Sequence, residues 1–500
     1  MKITNMKKYK QPNIIMFTLM LIFLIKGVFY AVYITPLSAG TSPDDIGHIS
    51  YIQYIASEKK LPVLFDANLE NVTSQSQISY FQHNTTNLLT ISVEKKEQFD
   101  KKNGYNWIVQ HPPLYYLIMT PIYLFTELFT NNFHILLLAL RLATILFGMA
   151  SIYVMDEIMD LLQTKDVVRY CILVCFVFFA PMQYFYSNVT NDSLLIFLCI
   201  LTLFFLLKYT KEKLIKNYYF FVISCGLVMM TKYTGALVLI SYIAYFLYKS
   251  VKEDGIKQTI KLCVLGLLIG GAIVASVFIR NYILYGNSVQ LAADPNENLN
   301  YQITFYQFIK DKNYLDTLYT FLITFIGARN FIYATSFMKW VVAILVAILS
   351  FLCSLNDNNK NRQLLINIMG IITGIILLRV LDLELSLCIA SISFIILSFN
   401  LLTSKEMNAE KKEINWFFFV TILVVFLIFM LEQYKASQHY GYVRAVQGRY
   451  YYIVAFPFLY LLFNILEEYE FKYTKYFPVL LTIFLMLCEA KTIILCLGNW

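Results

Sequence analysis

The sequence predicts an all-α fold, a polytopic transmembrane helical bundle of about thirteen spans with a large first extracytoplasmic loop carrying interfacial helices. Three observations predict it. The 500 residues are 58% hydrophobic and only 14% charged, a balance no soluble surface tolerates at this length. Apolar stretches long enough to cross a hydrocarbon core of about 30 Å recur from end to end. Lysines then gather in short loops between them, at Lys208, Lys211, Lys213 and Lys216, at Lys249, Lys252, Lys257 and Lys261, and at Lys405, Lys411 and Lys412. By the positive-inside rule these loops are cytoplasmic, so the net charge of +8 reports topology and not a nucleic-acid surface.

The basic tail 1–12 is cytoplasmic on the same rule. The apolar run 13–34 follows it, is too long for a signal peptide and lacks a small-residue cleavage site, so it reads as a retained first helix. The chain then stays outside over 35–133. Within that loop, Ser42 to about Glu58 has Ile46, Ile49, Ile52, Ile55 and Ala56 at helical spacing, an amphipathic helix. The polar insert 68–106 has no usable periodicity. "WIVQHPPLYYLIMTPIYLFTELF" returns to the membrane, where His111-Pro112-Pro113 and Pro121 favour an interfacial helix over a span.

A transmembrane core over 134–280 and C-terminal helices over 336–500 flank a second external loop, 281–335. Spans are expected at about 134–156, 169–187, 192–208, 218–231, 234–248, 262–280, 336–353, 363–380, 384–403, 415–432, 449–466 and 476–497. Alternating sides along this series puts every lysine-rich loop inside. All nine cysteines fall in apolar segments, which suits small core hydrophobes and not a disulfide framework or a Cys-based metal site.

The same alternation sends most polar residues of interest to one face: Asp44, Asp45, His48, His111, Asn191, Asp192, Lys232, Tyr233, Arg280, Asn281, His439, Arg444 and Arg449. Ionisable groups at a membrane boundary are costly to desolvate, so their gathering on one side implies a shared cavity at the outer leaflet. For "SPDD", Ser42 suits an N-cap, Pro43 the first helical position, and Asp44 and Asp45 the first turn. A partly desolvated carboxylate beside a second one also suits a general base. His48 lies one turn after Asp44 and shares its face. In "SNVTNDSLLIFL", Asn191 or Asp192 caps a helix. Lys232, Arg280, Arg444 and Arg449 stand at external helix ends. Snorkelling explains each singly, and a bound phosphate explains them together. A cavity with carboxylates at one end and cations at the other fits a phosphate-bearing lipid.

Taken in order, these motifs resemble the polyprenyl-phosphate-dependent integral-membrane glycosyltransferases of the C-type superfamily, the group of the protein O-mannosyltransferases and the lipid A aminoarabinose transferase. The resemblance is carried by the acidic pair with its following histidine, "HPPLYY", "NDSLLIFLCILTLFFLLK", "GLVMMTKYTGALVL", "RNYILYG" and "QGRYYYIVAFPFLYLL". It implies inverting transfer of a sugar, hexosyl or pentosyl, from a polyprenyl monophosphate to an acceptor outside the cytoplasmic membrane of a bacterium. It also implies that Asp44 is the base and that Asp45 and His48 orient the acceptor. The alternative is that Asp44, Asp45 and His48 hold a divalent metal, Mg or Mn. Lys232, Tyr233, Arg280 and Arg449 then receive the lipid phosphate, while His111, Asn191, Asp192 and Arg444 line the cavity. Relatives often carry Asp-Glu where this chain has Asp44-Asp45, and the insert 68–106 matches nothing in them. The rival reading is an envelope lipid or polysaccharide flippase, which calls for charges deep in the bundle and internal repeats. No repeat is visible, and Arg379 and Asp382 come nearest to midspan charges.

Overall fold

The computed structural model describes residues 14–35, 37, 44–63, 107–289, 303–310, 408–440, 448–468 and 476–497. Among the described residues all regular structure is helical. Among these residues six helices are long and apolar enough to cross a membrane, or up to seven if one bent pair counts as a single span. The spans expected at 336–353, 363–380 and 384–403 lie outside the described residues, as do the insert 68–106 and most of the second external loop.

Helix α1 (Ile14–Phe29) is apolar except near its end and closes in a π-helical turn, Tyr30–Ile34. Helix α2 (Asp45–Glu58) is the one expected from the isoleucine spacing, and Ile46, Ile49, Ile52, Ile55 and Ala56 are all buried. It is not a half-exposed amphipathic helix, however. Asp45, His48 and Ser50 are buried too, because α3 (Leu114–Glu127) packs along it. At 14 residues, α3 rises only about 21 Å, too short to span.

Helix α4 (Phe133–Leu161) overruns the expected span at its far end. Arg169 explains this, because its guanidinium pairs with Asp156 at 2.5 Å and with Asp160, so neither carboxylate needs to leave the helix. The span expected at 169–187 is broken. Helices α5 (Asp166–Phe178) and α6 (Ala180–Tyr186) meet at 60° around extended Phe179. Pro181 is the cause, since its ring has no N–H for the Val177 carbonyl four residues back. Lys26 Nζ donates to that carbonyl at 2.8 Å instead.

Helix α7 (Asn191–Glu212) is capped by Thr190, whose Oγ1 accepts from the Asp192 N–H at 3.3 Å. The cap expected from Asn191 or Asp192 therefore falls one residue earlier, leaving both side chains free for other work. Helices α8 (Ile215–Thr231) and α9 (Ala236–Asp254) are joined by extended Lys232 and a 3-10 turn, Tyr233–Gly235. Helix α10 (Ile256–Tyr285) outruns its expected 262–280 and stops at Gly286, whose φ of 73° supplies the left-handed C-cap. After the short α11 (Phe305–Lys310) come α12 (Ala409–Tyr440), a 3-10 stretch Gly448–Val454 with α13 (Ala455–Glu468), and α14 (Phe477–Leu497).

Helices α4 and α7 pack side by side in the middle of the bundle, with α1 against α4, α8 against α7, and both α13 and α14 against α5. Gly148 lets α1 close on α4, because a Cβ there would sit 2.4 Å from Phe23 Cε1. The spans, expected from the sequence to be nearly free of midplane charge, hold an internal ion pair. Lys26 on α1 meets Glu489 on α14 at 2.6 Å with side chains 15% and 6% exposed, and the Tyr30 hydroxyl donates to the same carboxylate at 3.1 Å. A lone lysine in a first helix reads as a snorkelling end residue. Only the fold puts an acid beside it. At the lysine-rich end, Lys213 pairs with Glu253 and Asp254 at 2.9 and 2.8 Å, and Lys249 with Glu413 at 2.9 Å. Helix α7 runs from that end to the polar cluster described next, 22 residues or about 33 Å away.

Candidate active site

Five elements deliver polar side chains to one end of the bundle: the start of α2, the start of α3, the N-terminus of α7, the α8–α9 turn and the 3-10 stretch before α13. Asp44 is the residue before α2, not part of its first turn. Its φ of 62° is left-handed, a conformation aspartate tolerates better than most residues but still at a cost. Its carboxylate makes no cap to its own helix. It accepts from Arg449 Nη2 at 3.0 Å, so the strained backbone turns the acid into the site.

Asp192, in the first turn of α7, accepts from Lys232 Nζ at 2.6 Å. The result is a neutral quartet of two carboxylates and two cations. Tyr450 joins its halves, with Lys232 Nζ 5.5 Å and Arg449 Cζ 5.3 Å from the centre of its ring. Burial works against the charge on Arg449, but Tyr450, Asp192 and Asp44 outweigh it and raise the pKa. Arg449 Nε is buried and has no hydrogen-bond partner among the described residues. Among the described residues the carbonyl oxygen of Asn191 is likewise buried and unpartnered, while its amide reaches the Thr231 carbonyl at 3.5 Å. Buried groups left unpaired are costly, and an oxygen-bearing ligand would satisfy the guanidinium.

Behind the quartet lie two histidines. His48 Nδ1 is 3.0 Å from the Tyr116 hydroxyl, and His111 lies nearly parallel to His48 with centroids 6.5 Å apart. Burial pushes His48 down to about 4 against the pull of Asp44. Burial, then Lys232 and His48, holds His111 well below the usual histidine range. Both rings are therefore neutral at pH 7.

The remaining candidates are placed elsewhere. Asp45 is 1% exposed and acts electrostatically on Arg141, whose Nη1 donates to the Ala31 and Thr35 carbonyls at 2.7 and 2.6 Å. The adjacent acids thus serve different partners. Arg280 does not join the two cations. Its Nη2 donates to the carbonyls of Leu61 and Pro62 at 3.2 and 2.8 Å, holding the end of α10 to the chain after α2. The Tyr233 hydroxyl accepts from Asn281 at 3.1 Å. Arg444 lies outside the described residues, and His439 lies in α12 with its side chain outside them. Tyr450, Tyr116 and Arg141 were missed by sequence reasoning. The first is one of three successive tyrosines, and nothing in the sequence tells them apart.

A metal does not fit the three residues considered for it. Asp44 is turned to Arg449 and His48 Nδ1 to Tyr116, while Asp45 is buried and acts on Arg141. Among the described residues no three His, Cys, Asp or Glu side chains converge as a ligand set.

The fold and this site define a multi-pass, all-helical membrane protein with an ion-paired polar cluster at one end of its bundle. Residues 110–279 match the model of the dolichyl-phosphate-mannose-protein mannosyltransferase family. The matched stretch carries His111, Tyr116, Asn191, Asp192 and Lys232, and it is part of the segment on which the motif resemblance rested. No curated protein and no solved structure matches the chain.

Proposed function

We propose that this protein is an inverting glycosyltransferase that takes its sugar from a polyprenyl monophosphate and passes it to an acceptor on the extracytoplasmic side of a bacterial inner membrane. The description of the matching family favours mannose as the sugar. The observation that carries the reading is the Asp44–Arg449 contact at 3.0 Å with the Arg449 Nε left open, beside a second cation, Lys232. A phosphate monoester entering there completes the guanidinium's donor set and competes with both carboxylates for their partners.

In this reading the acceptor hydroxyl attacks the anomeric carbon from the face opposite the phosphate. The carbon–oxygen bond to phosphate breaks, and the electron pair leaves with the polyprenyl phosphate, which Arg449 and Lys232 hold. The hydroxyl proton passes to Asp44, freed from Arg449 by the arriving phosphate. Phosphate is already a fair leaving group, so positioning, base assistance and charge stabilisation supply the catalysis. His111 and Asn191 line the site. Arg280 acts at a distance by holding the α2 end, and Asp45 through its charge on Arg141.

The buried Lys26–Glu489 pair is a feature that a lipid flippase would share. A single assay separates the readings: release of free polyprenyl phosphate from a panel of polyprenyl-phosphate sugars by purified protein in nanodiscs, wild type against Asp44→Asn. Turnover abolished by the substitution supports the proposal. No turnover from any donor, with a crude envelope extract as acceptor, favours the flippase. Equal turnover in both proteins removes Asp44 as the base.

A further inference from the structure

The Tyr116 hydroxyl lies 3.0 Å from His48 Nδ1, and the tyrosine is gripped on its other side by Tyr51, whose ring is 3.8 Å away at 16°. Burial raises the Tyr116 hydroxyl well above its ordinary range, so it keeps its proton. Among the described residues that hydroxyl has one hydrogen-bond partner, His48. A buried O–H with a single neighbour donates to it, since the alternative leaves its proton unsatisfied. His48 Nδ1 is then the acceptor, and in a neutral imidazole the proton must sit on Nε2. No described residue hydrogen-bonds that second nitrogen, and the ring is within electrostatic reach of Asp44, Lys232, Asp192 and Arg449.

We propose that Tyr116 is a positioning residue that fixes His48 as its Nε2–H tautomer, so that His48 offers a neutral N–H donor to an oxygen of the sugar bound beside Asp44. The role toward sugar rests on the glycosyl-transfer reading above. The tautomer does not. Neutral donation suits this position because a histidinium would compete with Arg449 and Lys232 for the phosphate and for Asp44.

The test uses the full chain labelled with 15N-histidine in nanodiscs at pH 7. The sequence has five histidines, and the signal missing from His48→Gln assigns His48. The expected wild-type spectrum shows an unprotonated, hydrogen-bonded Nδ1 and a protonated Nε2. Tyr116→Phe should return the His48 Nδ1 signal to that of an unbonded, unprotonated ring nitrogen and lower kcat roughly 10- to 100-fold with donor KM within about twofold. Tyr51→Phe should leave the tautomer in place. A wild-type ring protonated at Nδ1 overturns the proposal, as does a Tyr116→Phe protein whose His48 signals or kcat are unchanged. Should Tyr116→Phe fail to fold, fluorotyrosine at position 116 makes the hydroxyl a stronger donor, and an unmoved Nδ1 signal counts against the contact. The spectra need no substrate. Failure of every donor therefore refutes glycosyl transfer separately from the tautomer.

Discussion

Asp44→Asn should abolish turnover and at the same time tighten the binding of polyprenyl phosphate. The two effects have different sources. As general base, Asp44 contributes on the order of 10²- to 10⁴-fold to the rate, and an asparagine amide cannot take the proton. As counter-ion, it occupies the cation that the phosphate needs, with Arg449 Nη2 3.0 Å from its Oδ2 and side chains 11% and 30% exposed. A pair of that intermediate burial lies between exposed pairs, worth up to about 1 kcal/mol, and fully buried ones, whose disruption costs about 3–5 kcal/mol. An estimate of about 1–2 kcal/mol follows, which the phosphate no longer has to overcome in the variant. That converts to roughly 5- to 30-fold tighter binding. Equilibrium binding of a radiolabelled polyprenyl phosphate to detergent-solubilised wild type and variant measures it, with thermal unfolding as the control for integrity. Unchanged or weaker binding refutes the argument that Asp44 and the phosphate compete for Arg449.

Three further outcomes are expected. Glu489→Gln should cost about 3–5 kcal/mol in denaturant unfolding, because it strands the buried Lys26 charge. Lys26→Met with Glu489→Gln should recover most of that, and a single variant as stable as wild type would contradict the pair's burial. Because His48 is lowered from an ordinary 6.5 to about 4 in the fold, the unfolded chain binds its proton first. Its contribution is complete above about pH 6.5 and is lost as pH falls toward 4, with His111 acting in the same direction. Thermal scans across that window should show a steeper loss for wild type than for His48→Gln. Gly148→Ala should destabilise by about 1–3 kcal/mol. The new Cβ meets Phe23 at 2.4 Å, and that ring cannot yield between Phe176 and Tyr186; unfolding measurements at fixed detergent concentration check it.

Hydropathy and charge placement along the chain were enough to identify a multi-pass helical membrane protein and the end of the bundle where its polar residues gather. Hydropathy and lysine placement are read by the solvent one segment at a time, so α1, α4, α7, α9, α10 and α12 were legible as spans, and α2 and α3 as helices beside them. The shared location of Asp44, His48, His111, Asp192, Lys232 and Arg449 followed from counting crossings. Partnership was not legible, because it depends on which helices are neighbours and how each is rotated. Asp44 and Arg449 are 405 residues apart, and only packing joins them. Adjacent Asp44 and Asp45 look interchangeable in sequence, yet a left-handed backbone at Asp44 sends its carboxylate to Arg449 while the charge of Asp45 acts on Arg141. Arg280 looked equal to Arg449 as an external cation, but the length of α10 carries it to the carbonyls of Leu61 and Pro62. Lys26 and Glu489 were hidden for the same reason. A charge inside an apolar run reads as an exception until the tertiary structure supplies the opposite charge, and in a low-dielectric interior that neighbour decides what the residue can do.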